Sequence, residues 1–249
     1  MIKHYRIHEV SGYIDWIYFF HAWGFSPRKT QTPEAMQLLQ EAKEMLELLD
    51  KNFQTHAVLR LMDANSEEND IWIEGTRFPF LRQQTAKEEE PYLCLSDFIR
   101  PSSSKIKDKI GLFATTVDAE MEQLYTEDPY LHMLVKTLAD RLAEATAEKT
   151  HDTIRKEFQG IRPAVGYPSL PDQSVNFLLD ELLDMKRIGI QLTENGMMQP
   201  HASVSGLIFT HPASRYFSVG KIDEQQLKDY AIRRGLPVGQ MRKFLARNL

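Results

Sequence analysis

Two irregular, proline-rich segments concentrate the side chains of this chain that could do chemistry. Residues 162–172 read Arg-Pro-Ala-Val-Gly-Tyr-Pro-Ser-Leu-Pro-Asp, and residues 211–217 read His-Pro-Ala-Ser-Arg-Tyr-Phe, with Ala-Ser-Val-Ser-Gly at 202–206 between them. The arginine that precedes a proline is biased toward extended geometry, and the glycine lets backbone groups approach a ligand. Ordering such segments costs conformational entropy, which predicts that they build a binding site.

Arg162 is the candidate for anion binding in the first segment. A guanidinium fork suits bidentate capture of a carboxylate, and the mixture of charged and aromatic side chains favours a zwitterionic ligand. The same arginine could instead form a structural ion pair. The segment taken alone leaves both interpretations open.

The sequence motifs of nucleotide-binding proteins, serine hydrolases and metalloenzymes are not found in this chain. No two of the twelve glycines have the G-x-G spacing of a dinucleotide loop, and no phosphate-binding P-loop occurs. Ser203 and Ser205 lack the G-x-S-x-G context of a hydrolase nucleophile. His201 and His211 are interpreted as turn histidines, so we predict neither a metal site nor an acid-base catalytic pair.

Composition limits the partners and the compartment. The 249 residues carry a formal net charge of −5, which argues against a nucleic-acid partner bound through phosphate neutralisation. The single cysteine, Cys94, excludes an intramolecular disulfide and favours a reducing cytoplasm. No stretch approaches the ~18 uninterrupted apolar residues of a membrane span, and no signal peptide is evident.

The elements that must position these segments group into strands and helices without βαβ alternation. Thr32 followed by Pro33 predicts a helix start, and the C-terminus favours two helices separated by Gly235. This pattern predicts an α+β fold with an antiparallel sheet. The predicted helices span residues 33–51, 128–158, 174–187 and 223–234, with a short one after Pro237, and the predicted strands span 55–63, 71–74, 92–99, 110–117, 203–210 and 215–220. A polar turn at 65–70 and an exposed acidic connection at 87–91 complete the prediction.

The chain resembles the S-adenosylmethionine-binding activation (reactivation) domain of cobalamin-dependent methionine synthase. The motifs that carry the resemblance occur in the family's order and extend over nearly the whole chain. They are Tyr-Ile-Asp-Trp at 13–16, Phe-Phe at 19–20, Asp-Phe-Ile at 97–99, Ile-Gly-Leu-Phe-Ala at 110–114, Leu-Ala-Asp-Arg-Leu-Ala-Glu-Ala at 138–145, Gly-Ile-Arg-Pro-Ala-Val-Gly-Tyr-Pro at 160–168, Leu-Thr-Glu at 192–194, and the segments at 202–206 and 211–217.

The resemblance implies a single C-shaped α+β domain over residues 1–249, with a twisted antiparallel sheet flanked by helices and a shallow ligand groove. It also implies a role for each matching residue. Arg162 would bind the methionyl carboxylate of S-adenosylmethionine, Asp15 its ammonium, and Glu144 would lie near the ligand. Tyr216 and Phe217 would flank the sulfonium and nucleoside, the backbone around Ala164 and Gly166 would meet the adenine, and Tyr167 would join the site.

The implied function is reactivation of the synthase by reductive methylation of cob(II)alamin, in which this chain presents the methyl group. An electron would come from flavodoxin or another reductase. Cobalamin would be carried by the cobalamin-binding domain of the synthase, because this chain lacks the Asp-x-His-x-x-Gly signature of that module. The initial methionine favours a separate gene product over a fragment of a larger synthase.

Three departures from the family pattern concern the rim of the groove. The run that begins at Ser169 reads Ser-Leu-Pro where the family often has Ala-Cys-Pro, His201 stands where glycine is common, and Lys156 stands near a position that can carry an acid. Two alternative functions remain open at this stage. One is a non-catalytic S-adenosylmethionine-binding sensor or interaction protein that kept the fold, and the other is a methyltransferase with a different acceptor.

Overall fold

An antiparallel sheet of six strands forms the centre of the computed structural model, which describes residues 1–85, 90–156 and 158–249. The strands of this sheet are β1 (Ile2–Arg6), β2 (Gln54–Glu67), β3 (Asp70–Ile73), β4 (Thr76–Pro79), β5 (Asp108–Val117) and, after the short hairpin of β6 (Gln191–Leu192) and β7 (Met198–Gln199), β8 (Ser203–Phe209). Along one side β2 pairs with β1 and β3, and along the other with β5, which pairs onward with β8. The α+β class with an antiparallel sheet is therefore confirmed.

Helices cover both faces of the sheet. They are α1 (Ile7–Val10), α2 (Trp16–Ala22), α3 (Pro33–Leu49), α4 (Pro129–Asp152), α5 (Val175–Leu183), α6 (Glu224–Arg234) and α7 (Val238–Phe244). Alternate residues of a strand point to opposite faces, so Thr115 meets α4 by donating to the Ala143 carbonyl at 2.9 Å, while Leu112 packs in the core beside Leu179 of α5. The central strands are thus buried from both sides.

The strongest local signals of the sequence are confirmed. Helix α3 begins at Pro33 with the Thr32 hydroxyl accepting from the Ala35 amide, as the capping pattern predicts. The hairpin of β2 and β3 also forms, but the turn predicted at 65–70 is confined to residues 68–69, and the other polar residues of that stretch extend the two strands. Ser66 is buried, with its hydroxyl donating to the Ile99 carbonyl at 2.8 Å, which explains why this polar stretch stays in the sheet.

Two predicted strands are wrong. Residues 92–99 contain a 3-10 turn, Leu95–Phe98, because the Asp97 carboxylate accepts from the Cys94 amide at 2.8 Å and also pairs with Arg82. Residues 215–220 form no ladder, and their hydrogen bond to the rest of the backbone runs from the Val219 amide to the Pro168 carbonyl. Part of the predicted connection at 87–91 lies outside the described residues.

Two helices end earlier than predicted. Helix α4 stops at Asp152 rather than near 158, and the turn that follows is closed by a bond from the Phe158 amide to the Ile154 carbonyl. Helix α5 stops at Leu183 because Asp184 adopts a left-handed conformation with φ of 53°. A 3-10 turn, Met185–Ile188, then leads to Gly189, which does end the helical segment as predicted.

The C-terminal helices attach to the rest of the fold through a buried polar cluster. Asp172 is buried and accepts from the Tyr230 hydroxyl and the Ser174 hydroxyl, each at 2.8 Å. Arg234 lies 3.4 Å from the same carboxylate. This cluster joins α6 to the end of the 162–172 segment. Within the described ranges, no helix combines the length and the apolar character that a bilayer crossing requires.

Candidate functional site

The segment that begins at Arg162 runs beside β8 and forms one wall of a groove. The Leu207 amide donates to the Pro163 carbonyl at 3.1 Å, and the Val165 amide donates to the Ser205 carbonyl at 2.9 Å. Gly206 lies opposite Ala164, where a side chain would collide with the wall. The small residue at 206 therefore allows the wall to approach the sheet closely.

A tight turn then brings Tyr167 into the groove. Gly166 has φ of +88°, a left-handed conformation that favours glycine, and its amide donates to the Leu170 carbonyl at 2.8 Å. A Cβ at Gly166 would meet no atom within 4 Å, so backbone conformation rather than space accounts for the glycine. The turn leaves the Tyr167 ring half exposed over the groove.

Helix α4 forms the opposite wall with a polar stripe. Arg141, Glu144 and Glu148 are three and four residues apart, so they share one face of the helix. The Tyr167 hydroxyl donates to Glu144 at 2.7 Å and joins the two walls. Burial is the main cause that raises the pKa of Tyr167 above its ordinary value, and the Glu144 charge adds to it, so this hydroxyl stays protonated.

Arg162 lies between the two walls with its guanidinium above an aromatic ring. Its carbon Cζ is 5.2 Å from the Phe113 ring centroid, and its Nη2 donates to Glu148 Oε2 at 3.1 Å. The side chain is only 13% exposed. Arg162 therefore does form a structural ion pair, with Glu148, which was one of its two interpretations from the sequence. This pair holds the guanidinium inside the groove.

Tyr216 and Phe217 close one end of the groove. The Arg162 amide donates to the Tyr216 hydroxyl at 3.0 Å, which holds an otherwise exposed ring beside the arginine. Phe217 lies 6.4 Å from Phe98, measured between ring centroids, and packs against the core. Although the predicted strand here is absent, these two contacts fix both rings.

Asp15 lies at the other end of the groove, where it caps helix α2. Its Oδ1 accepts from the Ile17 amide at 2.9 Å. Over the ranges that the structure describes, Oδ2 has no hydrogen-bond partner. Oδ1 thus holds the Asp15 side chain at the start of helix α2, and Oδ2 is left to bind a cation.

The groove has two compartments that share Glu144, Arg162 and Tyr167 as lining residues. The first, of about 460 Å³, is closed by Tyr216 and Phe217, and the second, of about 420 Å³, contains Asp15. Each volume falls in the range of roughly 300–1,000 Å³ that is usual for small-molecule sites. Seven of the eight predicted site residues line these compartments, and Gly166 contributes only the turn.

Several lining residues escaped the sequence analysis. They are Tyr13, Tyr18, Arg141 and Glu148. The polar stripe at 141, 144 and 148 could have been found from helical spacing alone, because the flanking apolar residues define the buried face of α4. Tyr13 belongs to the motif at 13–16 but had no role assigned, and no comparable signal marks Tyr18, because both reach the groove through the packing of the N-terminal segment.

The three departures lie in different places. Ser169 is buried and lines the first compartment, so it belongs to the site. His201 is exposed and lies 3.7 Å from Asp140, and it lines neither compartment. Lys156 is exposed after the end of α4. In the described part of the chain, no cluster of three or more His, Cys, Asp or Glu side chains is arranged to hold a metal ion.

Comparisons with known proteins agree with this architecture. A crystal structure of the MetH reactivation domain bound to AdoHcy matches with a TM-score of 0.92 and 36% sequence identity, covering 100% of this chain and 90% of that one. The family model for the activation domain of vitamin B12-dependent methionine synthase matches residues 6–235. The chain therefore belongs to the family of vitamin B12-dependent methionine synthase activation domains.

Proposed function

We propose that this protein binds S-adenosylmethionine in the two-compartment groove and presents its methyl group for reductive methylation of cob(II)alamin, thereby reactivating cobalamin-dependent methionine synthase. The observation that carries the proposal is the meeting of the Arg162 guanidinium, the carboxylates of Asp15 and Glu144 and an aromatic end wall in a single groove. These charges complement a ligand that has a carboxylate, an ammonium and a sulfonium. The ligand of the similar crystal structure, AdoHcy, belongs to the same chemical class.

The amino-acid part of the ligand would lie across the boundary of the compartments. Arg162 would bind the methionyl carboxylate through the guanidinium nitrogens that Glu148 does not engage. The Asp15 Oδ2 would accept from the ammonium, and Glu144 would add negative potential near the sulfonium. Tyr167 would orient Glu144 through its hydroxyl, which donates to Oε1.

The nucleoside would lie in the first compartment. Tyr216 and Phe217 would flank the sulfonium and the nucleoside, since an aromatic face attracts a cation and stacks on a flat base. The backbone around Ala164 and Gly166 would meet the adenine edge. Ser169 adds a small polar residue to this compartment.

Reactivation would need two partners that this chain does not supply. A cobalamin-binding domain of methionine synthase would carry the cobalt that accepts the methyl group, and flavodoxin or another reductase would provide the electron. This chain's own contribution is positioning, because holding the methyl donor in line with its acceptor lowers the barrier without a general base.

Isothermal titration calorimetry with S-adenosylmethionine tests the binding step. The native protein should bind, and Arg162→Ala should raise Kd at least tenfold, equivalent to about 1.4 kcal/mol or more. The matched control is Arg242→Ala, which removes an exposed arginine paired with Glu224 on the C-terminal helices and should leave Kd unchanged. Absence of binding by the native protein would refute the proposal.

A second assay tests the reactivation step. The native protein is mixed with a cobalamin-loaded methionine synthase fragment, a reductant and S-adenosylmethionine, and methylcobalamin is followed by its absorption spectrum. Methylcobalamin should form with the native protein and much more slowly with Arg162→Ala. Tight binding without any methylcobalamin would instead support the sensor alternative.

A further inference from the structure

We infer that Glu148 is the positioning residue that holds the Arg162 guanidinium ready for the ligand carboxylate. This inference rests on the proposed function, because it assigns a role to the groove that binds S-adenosylmethionine. Glu148 follows Glu144 by one helical turn on α4 and lines the second compartment. It accepts a hydrogen bond from the arginine.

The contacts of Arg162 show how its position is fixed. The Phe113 ring supports one face of the guanidinium, and Glu148 accepts from Nη2 at 3.1 Å. Among the described residues, neither Nε nor Nη1 of Arg162 makes a hydrogen bond. The guanidinium is therefore held at one end while donors remain for an incoming carboxylate.

The surrounding charges explain why Glu148 does not simply neutralise Arg162. Arg155 forms a second ion pair with Glu148 and also lies 2.9 Å from Asp152. Glu148 thus divides its charge between two guanidinium groups, so Arg162 keeps positive potential for a ligand. Because only 13% of the Arg162 side chain is exposed, this orientation is screened less than that of a surface pair.

Pre-orientation of this kind reduces the entropy that the arginine loses when the carboxylate arrives. Without Glu148, the guanidinium could adopt other rotamers over Phe113, and part of the binding free energy would be spent on selecting the productive one. The effect should be confined to ligands that have the carboxylate. A loss of affinity that is limited to such ligands would distinguish a positioning role of Glu148 from a general role in protein stability.

Two thioether ligands with the same nucleoside provide the test. S-adenosylhomocysteine has the carboxylate and the ammonium, whereas 5′-methylthioadenosine has neither. Calorimetry should show that Glu148→Ala raises Kd for S-adenosylhomocysteine about three- to tenfold while changing Kd for 5′-methylthioadenosine less than about twofold. Glu148→Gln, which keeps an acceptor without the charge, should fall between the native protein and Glu148→Ala.

A double-mutant cycle and a control on the same helix complete the design. In the Arg162→Ala background, Glu148→Ala should add no further loss, because the residue that it positions is gone. The matched control is Asp140→Asn on α4, which pairs with the exposed His201 outside both compartments and should leave both affinities unchanged. Circular dichroism and thermal unfolding verify that each variant is folded.

The outcomes are distinct. Equal losses for both ligands would show that Glu148 acts through general structure, and unchanged or tighter binding of S-adenosylhomocysteine would show that it competes with the ligand. Either result overturns the inference, while the proposed function stands if Arg162→Ala still weakens binding. Failure of the native protein to bind S-adenosylmethionine would instead remove the proposed function and the inference with it.

Discussion

Replacing Gly206 with alanine should displace the groove wall and weaken ligand binding. A Cβ at this position would lie 2.2 Å from the Pro163 carbonyl oxygen and 2.9 Å from both Ala164 Cα and the Phe113 ring. Ordinary van der Waals contact begins at 3.4 Å. The Pro163 oxygen and Ala164 Cα are backbone atoms, so no side-chain rotation relieves the overlap. The wall must therefore move outward by roughly 1 Å.

The cost can be worked from these contacts. Overpacking of this kind destabilises by about 1–3 kcal/mol. The outward shift also stretches the bonds of the Leu207 and Val165 amides, each of which contributes about 0.5–1.5 kcal/mol net. We therefore expect Gly206→Ala to lower the free energy of unfolding by about 2–4 kcal/mol. Since Arg162 moves with the wall, Kd for S-adenosylmethionine should rise at least tenfold, or about 1.4 kcal/mol.

Urea unfolding followed by circular dichroism gives the stability change, and calorimetry on the folded variant gives the affinity. The matched control is Gly239→Ala in helix α7, where a new Cβ meets no atom within 4 Å. It should stabilise the protein by about 0.5–1 kcal/mol and leave Kd unchanged. If Gly206→Ala stays within 0.5 kcal/mol of the native protein and binds equally well, the close approach is not what shapes the wall.

Three further predictions concern the turn, the buried pair and pH. Gly166→Ala should lower the free energy of unfolding by about 1–2 kcal/mol in urea, because an L residue is strained at this φ, and a smaller change would contradict that reasoning. Arg234→Met should cost about 3 kcal/mol or more in the same assay, since it leaves Asp172 buried without its cation, and a loss below 1 kcal/mol would count against the pair. Burial lowers the pKa of His151, so the stability that it contributes is present above pH 6.5 and is lost as pH falls below it, by at most about 1.4 kcal/mol per pH unit. His151→Asn should flatten that decline, and an identical pH profile of unfolding in both proteins would refute the assignment.

Local signals account for much of the fold. Helix α3 follows from Thr32 and Pro33, and the central strands follow from their apolar content. The predicted strand at 215–220 failed for a reason that is not local. An extended segment joins a sheet only where an edge is free, and beyond β8 the edge is occupied by residues 161–165.

The site likewise contains residues that the local sequence marks and a residue whose role only the tertiary structure reveals. Arg162, Tyr167 and Tyr216 stand in irregular segments whose composition marks them, and the structure brings them together. Helical spacing places Glu148 on the polar face of α4, but an acid there is ordinarily a solvated residue, so its contact with Arg162 is what gives it a role. Arg162 is 14 residues away along the chain, and it contacts Glu148 only because of the geometry of the intervening turn, which the sequence does not predict.

The pairing of residues 161–165 with β8 also bears on solubility. An edge strand with unpaired amides and carbonyls is a template for association with other molecules, and here the ligand-binding segment covers that edge. The outward-facing amide of Arg162 donates to the Tyr216 hydroxyl, which further limits the segment as a template for another strand. Changes that loosen this segment would uncover the β8 edge as well as disturb the groove, so impaired binding and self-association should arise together in the same variants.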